Sequence, residues 1–67
     1  MTTGEKIRFH RRKLGLTIKQ LASKSGVSVN SIGFYEKGKA EPSLFVATCI
    51  ADVLNISLDY LAGRKEK

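Results

Sequence analysis

Apolar side chains recur along this chain at three- and four-residue spacings, and small polar residues, glycine or proline interrupt them every eight to twelve positions. That period is helical, and the spacing predicts an all-α chain with no strands, internal repeats or internal linkers. Helix 1 is expected over roughly Gly4–Leu14, with Ile7, Arg11 and Leu14 on one face and Gly15 closing it. Thr17 is a suitable N-cap for helix 2, about Thr17–Ser25, which turns Leu21 and Ala22 inward. Gly26 can take the left-handed conformation that ends a helix. Ser28 then caps helix 3, about Ser28–Lys37, with Ile32 and Tyr35 inward, Val27 plugging the gap to helix 2, and Gly38 as the stop. Pro42 pushes Glu41 out of the helical region, so Lys39–Pro42 is a loop. Ser43 caps helix 4, roughly Ser43–Leu54, whose buried stripe is Val46, Ala47, Ile50, Ala51 and Leu54, with Asn55 as its C-terminal cap. Ser57 starts a short helix 5 with Leu58 and Leu61, ended by Gly63, and Arg64–Lys67 is expected to fray. Every connection is short, as a compact bundle requires.

Helices 2 and 3, joined by a three- or four-residue turn containing glycine, have the spacing of a helix-turn-helix, which presents its second helix to the major groove of DNA. The charge distribution changes the weight of that reading. Residues 1–39 carry nine Lys or Arg against two acidic residues, whereas residues 40–67 carry three against four. The basic excess therefore lies in the half that holds the motif, as a polyanionic partner would require. At 67 residues the chain is read as one domain, 1–67, near the lower size limit for an unstapled fold, so dimerisation is expected to support it. Cys49 has no partner for an intramolecular disulfide, and neither it nor the single histidine, His10, has companions for a metal site. No cofactor or metal is expected. Nothing approaches the roughly 18 apolar residues of a membrane span, and the start lacks a secretory h-region, so a soluble cytoplasmic protein is expected. The absence of a Ser/His/Asp set, a metal-ligand cluster or a phosphate-cradling glycine loop argues against an enzyme.

Three sets of residues carry a resemblance that covers Ile7 to Gly63. They are Ile7, Arg11 and Leu14-Gly15-Leu16-Thr17 with Leu21-Ala22; Gly26-Val27-Ser28, Ile32 and Tyr35-Glu36-Lys37-Gly38-Lys39 with Pro42-Ser43; and Ile50-Ala51, Leu54-Asn55-Ile56-Ser57-Leu58-Asp59, Leu61 and Gly63. In this order and spacing the chain resembles the Cro/CI repressor-type helix-turn-helix family of DNA-binding transcriptional regulators. The resemblance implies a lambda-repressor-like fold of five helices around one small core, and a homodimer on double-stranded DNA. It also implies that the outward residues of helix 3, Val29, Asn30, Gly33 and Phe34, face base edges. Asn30 can form a bidentate pair with adenine, whereas Val29 and Phe34 offer only apolar contact, most naturally to a thymine methyl. The family often has Gln, Arg or Ser where this chain has Val29 and Phe34, and usually Gln where it has Ile18. Phe34 has a second reading, as a side chain packed on Ile18 at the helix 2–helix 3 junction.

Phosphate contacts are expected at the open amides and hydroxyls that begin helices 2 and 4, with Thr17, Ile18, Lys19 and Ser43. Ser28, Ser31, Lys37 and Lys39 flank them. Arg11 and Glu36 are charged residues on inward faces, costly unless paired, and the resemblance implies a salt bridge between them. Leu44, Phe45, Ile56 and Tyr60 are left over by the buried stripes of helices 4 and 5 and are the candidate dimer contacts. His10 is read as a boundary residue between helices 1 and 5, and Cys49 as inert. These observations favour a sequence-specific regulator, in the repressor class, that binds a palindromic operator. The competing reading is a protein-interaction module on the same fold, with Val29, Gly33, Phe34 and Ile18 as its apolar patch and only weak, non-specific DNA binding.

Overall fold

The computed structural model describes residues 1–63, so the fraying expected for Arg64–Lys67 lies outside the described residues. Within them the chain forms five helices and no strands: α1 (Thr3–Lys13), α2 (Ile18–Ser25), α3 (Val29–Lys37), α4 (Leu44–Leu54) and α5 (Leu58–Leu61). Each begins at a hydroxyl side chain that accepts a backbone N–H one turn on. The caps are Thr2, Thr17, Ser28, Ser43 and Ser57. Thr2 and Thr17 complete reciprocal capping boxes with Glu5 and Gln20, so two otherwise orphaned donors are satisfied at each of those ends. Gly26 ends α2 at φ 75°, and Asn55 ends α4 at φ 59°, the left-handed conformation that asparagine tolerates best among residues with a side chain.

One apolar cluster holds the helices together. Ile7 of α1, Leu21 and Ala22 of α2, Ile32 of α3, Ala47, Ile50, Ala51 and Leu54 of α4, and Leu61 of α5 are all buried. Five of them, Ile7, Leu21, Ile32, Ile50 and Leu61, are fully enclosed, each worth about 1.5–3 kcal/mol relative to exposure. Ile18, Val27, Tyr35, Val46, Val53, Ile56 and Leu58 form a half-buried layer around this set. Val27, from the α2–α3 turn, fills the position that its spacing suggests.

Leu14 departs from the helical spacing. It is the C-cap of α1 and is 50% exposed, because α1 ends at Lys13 and the chain turns through Gly15 before a further helical turn can direct Leu14 inward. The inward face of α1 is instead Gly4, Ile7 and Arg11, spaced three and four residues apart. Gly4 is buried for a steric reason. A β-carbon at this position would lie 2.0 Å from the carbonyl oxygen of Tyr35 and 3.0 Å from its carbonyl carbon, so α1 and the end of α3 meet backbone to backbone.

This contact yields a test whose sign is informative. Gly→Ala in a helix ordinarily stabilises by up to about 1 kcal/mol. At Gly4 the added methyl meets main chain that cannot rotate away, so Gly4→Ala is expected to destabilise the domain by about 1–3 kcal/mol, measured by urea denaturation.

Candidate nucleic-acid interface

The site is built on α3, and α3 is fixed at its end by Glu36. The Glu36 side chain is only 2% exposed. Its carboxylate accepts two hydrogen bonds from the Arg11 guanidinium, Nε to Oε2 at 2.7 Å and Nη2 to Oε1 at 3.0 Å, in the bidentate fork geometry that favours arginine. Arg8 Nε donates a further bond to Oε1 at 3.3 Å from a half-exposed position. Arg11 also donates from Nη1 to the carbonyl of Leu16 at 2.9 Å. One buried ion pair thus ties together the end of α3, the last turn of α1 and the turn that leads into α2. Hydrogen bonding to Glu36, aided by the attraction of its charge, outweighs desolvation and raises the Arg11 pKa above its ordinary value. A raised pKa stabilises the fold fully below the unfolded value and is lost only as pH rises through the folded one. Arg11 therefore contributes fully throughout the neutral range.

With α3 pinned by Ile32 and Glu36, its other side is bare. Val29 is 47% and Phe34 50% exposed, Asn30 is exposed, and Gly33 is half-buried beside them. Phe34 therefore keeps an open aromatic surface, while Ile18 packs against the core cluster. Ser28 and Ser31, at the start of α3, hydrogen-bond to each other at 2.9 Å through their hydroxyls. Lys37 and Lys39 are exposed at the far end of α3.

The starts of α2 and α4 have a common property. Thr17 and Gln20 satisfy each other at the start of α2, and helical geometry leaves the amides of Ile18 and Lys19 with no intrahelical acceptor. Ser43 accepts from Val46 at the start of α4 and leaves the amides of Leu44 and Phe45 in the same condition. Leu44 and Phe45 are themselves strongly exposed, Phe45 at 76%. Ile56 is not spare surface, because it packs in the half-buried layer around the core. Tyr60 is engaged on one side: its hydroxyl lies 3.0 Å from His10 Nε2, and Lys6 Nζ sits 4.7 Å over its ring. His10 accordingly does border α5. Cys49 is half-buried, and among the described residues no group of His, Cys, Asp and Glu is placed to hold a metal ion.

Two residues that matter here have no role assigned from the sequence. Arg8 is three residues before Arg11, a helical neighbour, and that spacing was the available signal. Gly4 is three residues before Ile7 on the same face, where a missing side chain marks a close approach.

This arrangement has known counterparts. The family model described as helix-turn-helix matches residues 7–61. The chain is 46% identical over 56 residues to an uncharacterized HTH-type transcriptional regulator of Archaeoglobus fulgidus, covering 84% of this chain and 80% of that one. It is 30% identical over 66 residues to the HTH-type transcriptional regulator ImmR of Bacillus subtilis, covering 98% of this chain but only 52% of ImmR. Among solved structures, the P22 c2 repressor in complex with synthetic operator 9T superposes with a TM-score of 0.87 at 33% identity, covering 91% of this chain and 92% of that one. The chain belongs to the Cro/CI-type helix-turn-helix family of DNA-binding transcriptional regulators.

The buried pair defines a stability test. Arg11→Ala leaves Glu36 with the half-exposed Arg8 as its remaining cation, and the expected cost is about 3–5 kcal/mol. Arg11→Lys keeps the charge but loses the fork, so it should fall between wild type and Arg11→Ala. The double variant Arg11→Met/Glu36→Leu removes both charges and should recover most of the loss. Denaturant midpoints of the three variants check this ordering.

Proposed function

We propose that this chain is a sequence-specific regulator that binds double-stranded DNA as a homodimer at an inverted repeat and acts as a repressor. The observation that carries the reading is the bare outer side of α3, held by Glu36, together with the open amides at the starts of α2 and α4. An exposed Asn30 beside exposed Val29 and Phe34 supplies one bidentate adenine reader and two apolar contacts. The amides of Ile18 and Lys19, and of Leu44 and Phe45, suit phosphate oxygens, with Thr17, Ser28, Ser31 and Ser43 nearby in sequence and Lys19, Lys37 and Lys39 supplying charge. The excess of cations in residues 1–39 supports the same partner. The operator-bound P22 c2 repressor, similar in fold and at 33% identity, supports the repressor reading.

The homodimer rests on Leu44 and Phe45, exposed and apolar on α4, and on Tyr60, partly exposed on α5. A two-fold protein calls for a two-fold site, with half-sites about one helical turn, 34–36 Å, apart.

Selection of binding sites from randomised duplexes by the purified protein tests the proposal, and an inverted repeat at that spacing is expected. On the selected site Asn30→Ala should cost about 1–3 kcal/mol and relax preference at one base pair. Lys39→Ala should weaken all sequences alike and lower the salt slope by about one. Equal losses by Asn30→Ala on selected and random duplexes would remove direct readout by α3 and favour the interaction-module reading.

A further inference from the structure

Glycine inside a helix carries an entropic cost, so each one calls for a compensating reason. Four of this chain's glycines sit at positive φ, at or beside helix ends, and Gly4 lies against the carbonyl of Tyr35. Gly33 has neither reason. It lies in the interior of α3, its φ is not positive, and a β-carbon there would find nothing within 4 Å. The fold would accept a side chain at Gly33 without strain, and the helix would be more stable for it.

No contact within the described residues accounts for the absent side chain. Gly33 is one helical turn from Val29 and Asn30 and one turn before Lys37, so its bare backbone forms a notch in the exposed surface of α3. Val29 and Phe34, both half-exposed and apolar, flank that notch. Neither can satisfy a donor or acceptor, and covering a polar base edge with them would leave it unpaired at a cost. On the major-groove edges of the four bases, the apolar group is the C5-methyl of thymine.

We propose that Gly33 is a specificity-determining position: its missing side chain lets α3 approach the groove floor closely enough for a pyrimidine C5-methyl to seat between Val29 and Phe34. This inference rests on the DNA-reading assignment above and identifies what that surface recognises. The same notch accepts 5-methylcytosine, which carries its methyl at the same ring position, in preference to cytosine.

The test pairs a protein change with a DNA change on the selected duplex. Gly33→Ala should raise the melting temperature of the free protein by a few degrees while weakening binding to the selected site at least tenfold. Replacing the relevant thymine with uracil deletes the methyl and leaves every hydrogen-bonding group in place. Wild type should lose about fourfold for that methyl, whereas Gly33→Ala, which can no longer seat it, should lose less than twofold. Gly33→Ala binding as tightly as wild type, or showing the same uracil penalty, would overturn the proposal. If wild type itself prefers no duplex over random DNA, the DNA-reading assignment fails and this inference fails with it. That result is distinct from a wild type that selects a site but ignores Gly33.

Discussion

A carboxylate buried to 2% exposure is the constraint around which this fold is arranged. Glu36 could not be enclosed without compensation, since an unpaired buried charge costs several kcal/mol. Its compensation is specific in direction. The fork of Arg11 meets both oxygens, Arg8 adds a third bond, and Arg11 reaches on to the carbonyl of Leu16. A hydrophobic contact in the same place would tolerate sliding of α3 along α1. Two parallel hydrogen bonds do not, and the backbone contact at Gly4 fixes the distance between the two helices as well. The pair is therefore better understood as a register device than as a source of net stability.

That rigidity matters because of what α3 leaves exposed. A surface carrying Val29 and Phe34 in water is a modest liability for a small domain, and a glycine in the middle of the same helix adds to it. Local rules are commonly broken where a chain serves a partner, while the core obeys them. In this protein the core and caps are consistent throughout: each helix has a hydroxyl N-cap, and its apolar stripe faces a single cluster. On the outer side of α3 two kinds of departure meet, exposed apolar side chains and a helix-interior glycine, and Leu44 and Phe45 add exposed apolar surface at the start of α4.

Much of this was legible in the sequence. Capping residues at Thr17, Ser28, Ser43 and Ser57, the helix ends at Gly26, Gly38 and Asn55, and the stripes of α2 and α4 follow from local chemistry, and the structure places them accordingly, with Val46 half-buried at the edge of its stripe. Leu14 was misread because periodicity alone does not say where a helix stops: one residue beyond Lys13 the same spacing points to solvent. The buried stripes of helices 4 and 5 leave Ile56 over, yet the turn after Asn55 packs it partly onto the core. The roles of Gly4 and Arg8 depend on which backbone passes opposite them, a tertiary fact with only a faint local trace. Gly33 was legible as an outward residue. Its lack of any intramolecular reason to be glycine emerges only when the space around it is measured.

In the proposed function the Glu36 clamp holds α3 so that its bare side, with the starts of α2 and α4, faces DNA. Titrating the isotopically labelled protein with the selected duplex, while following each backbone amide by NMR, tests it most directly. The largest shifts are expected on Ile18, Lys19, Val29 to Phe34, Leu44 and Phe45, with the Arg11 and Glu36 signals unmoved. Shifts centred on the outer face of α1 around Phe9 and Arg12, with α3 silent, would contradict it.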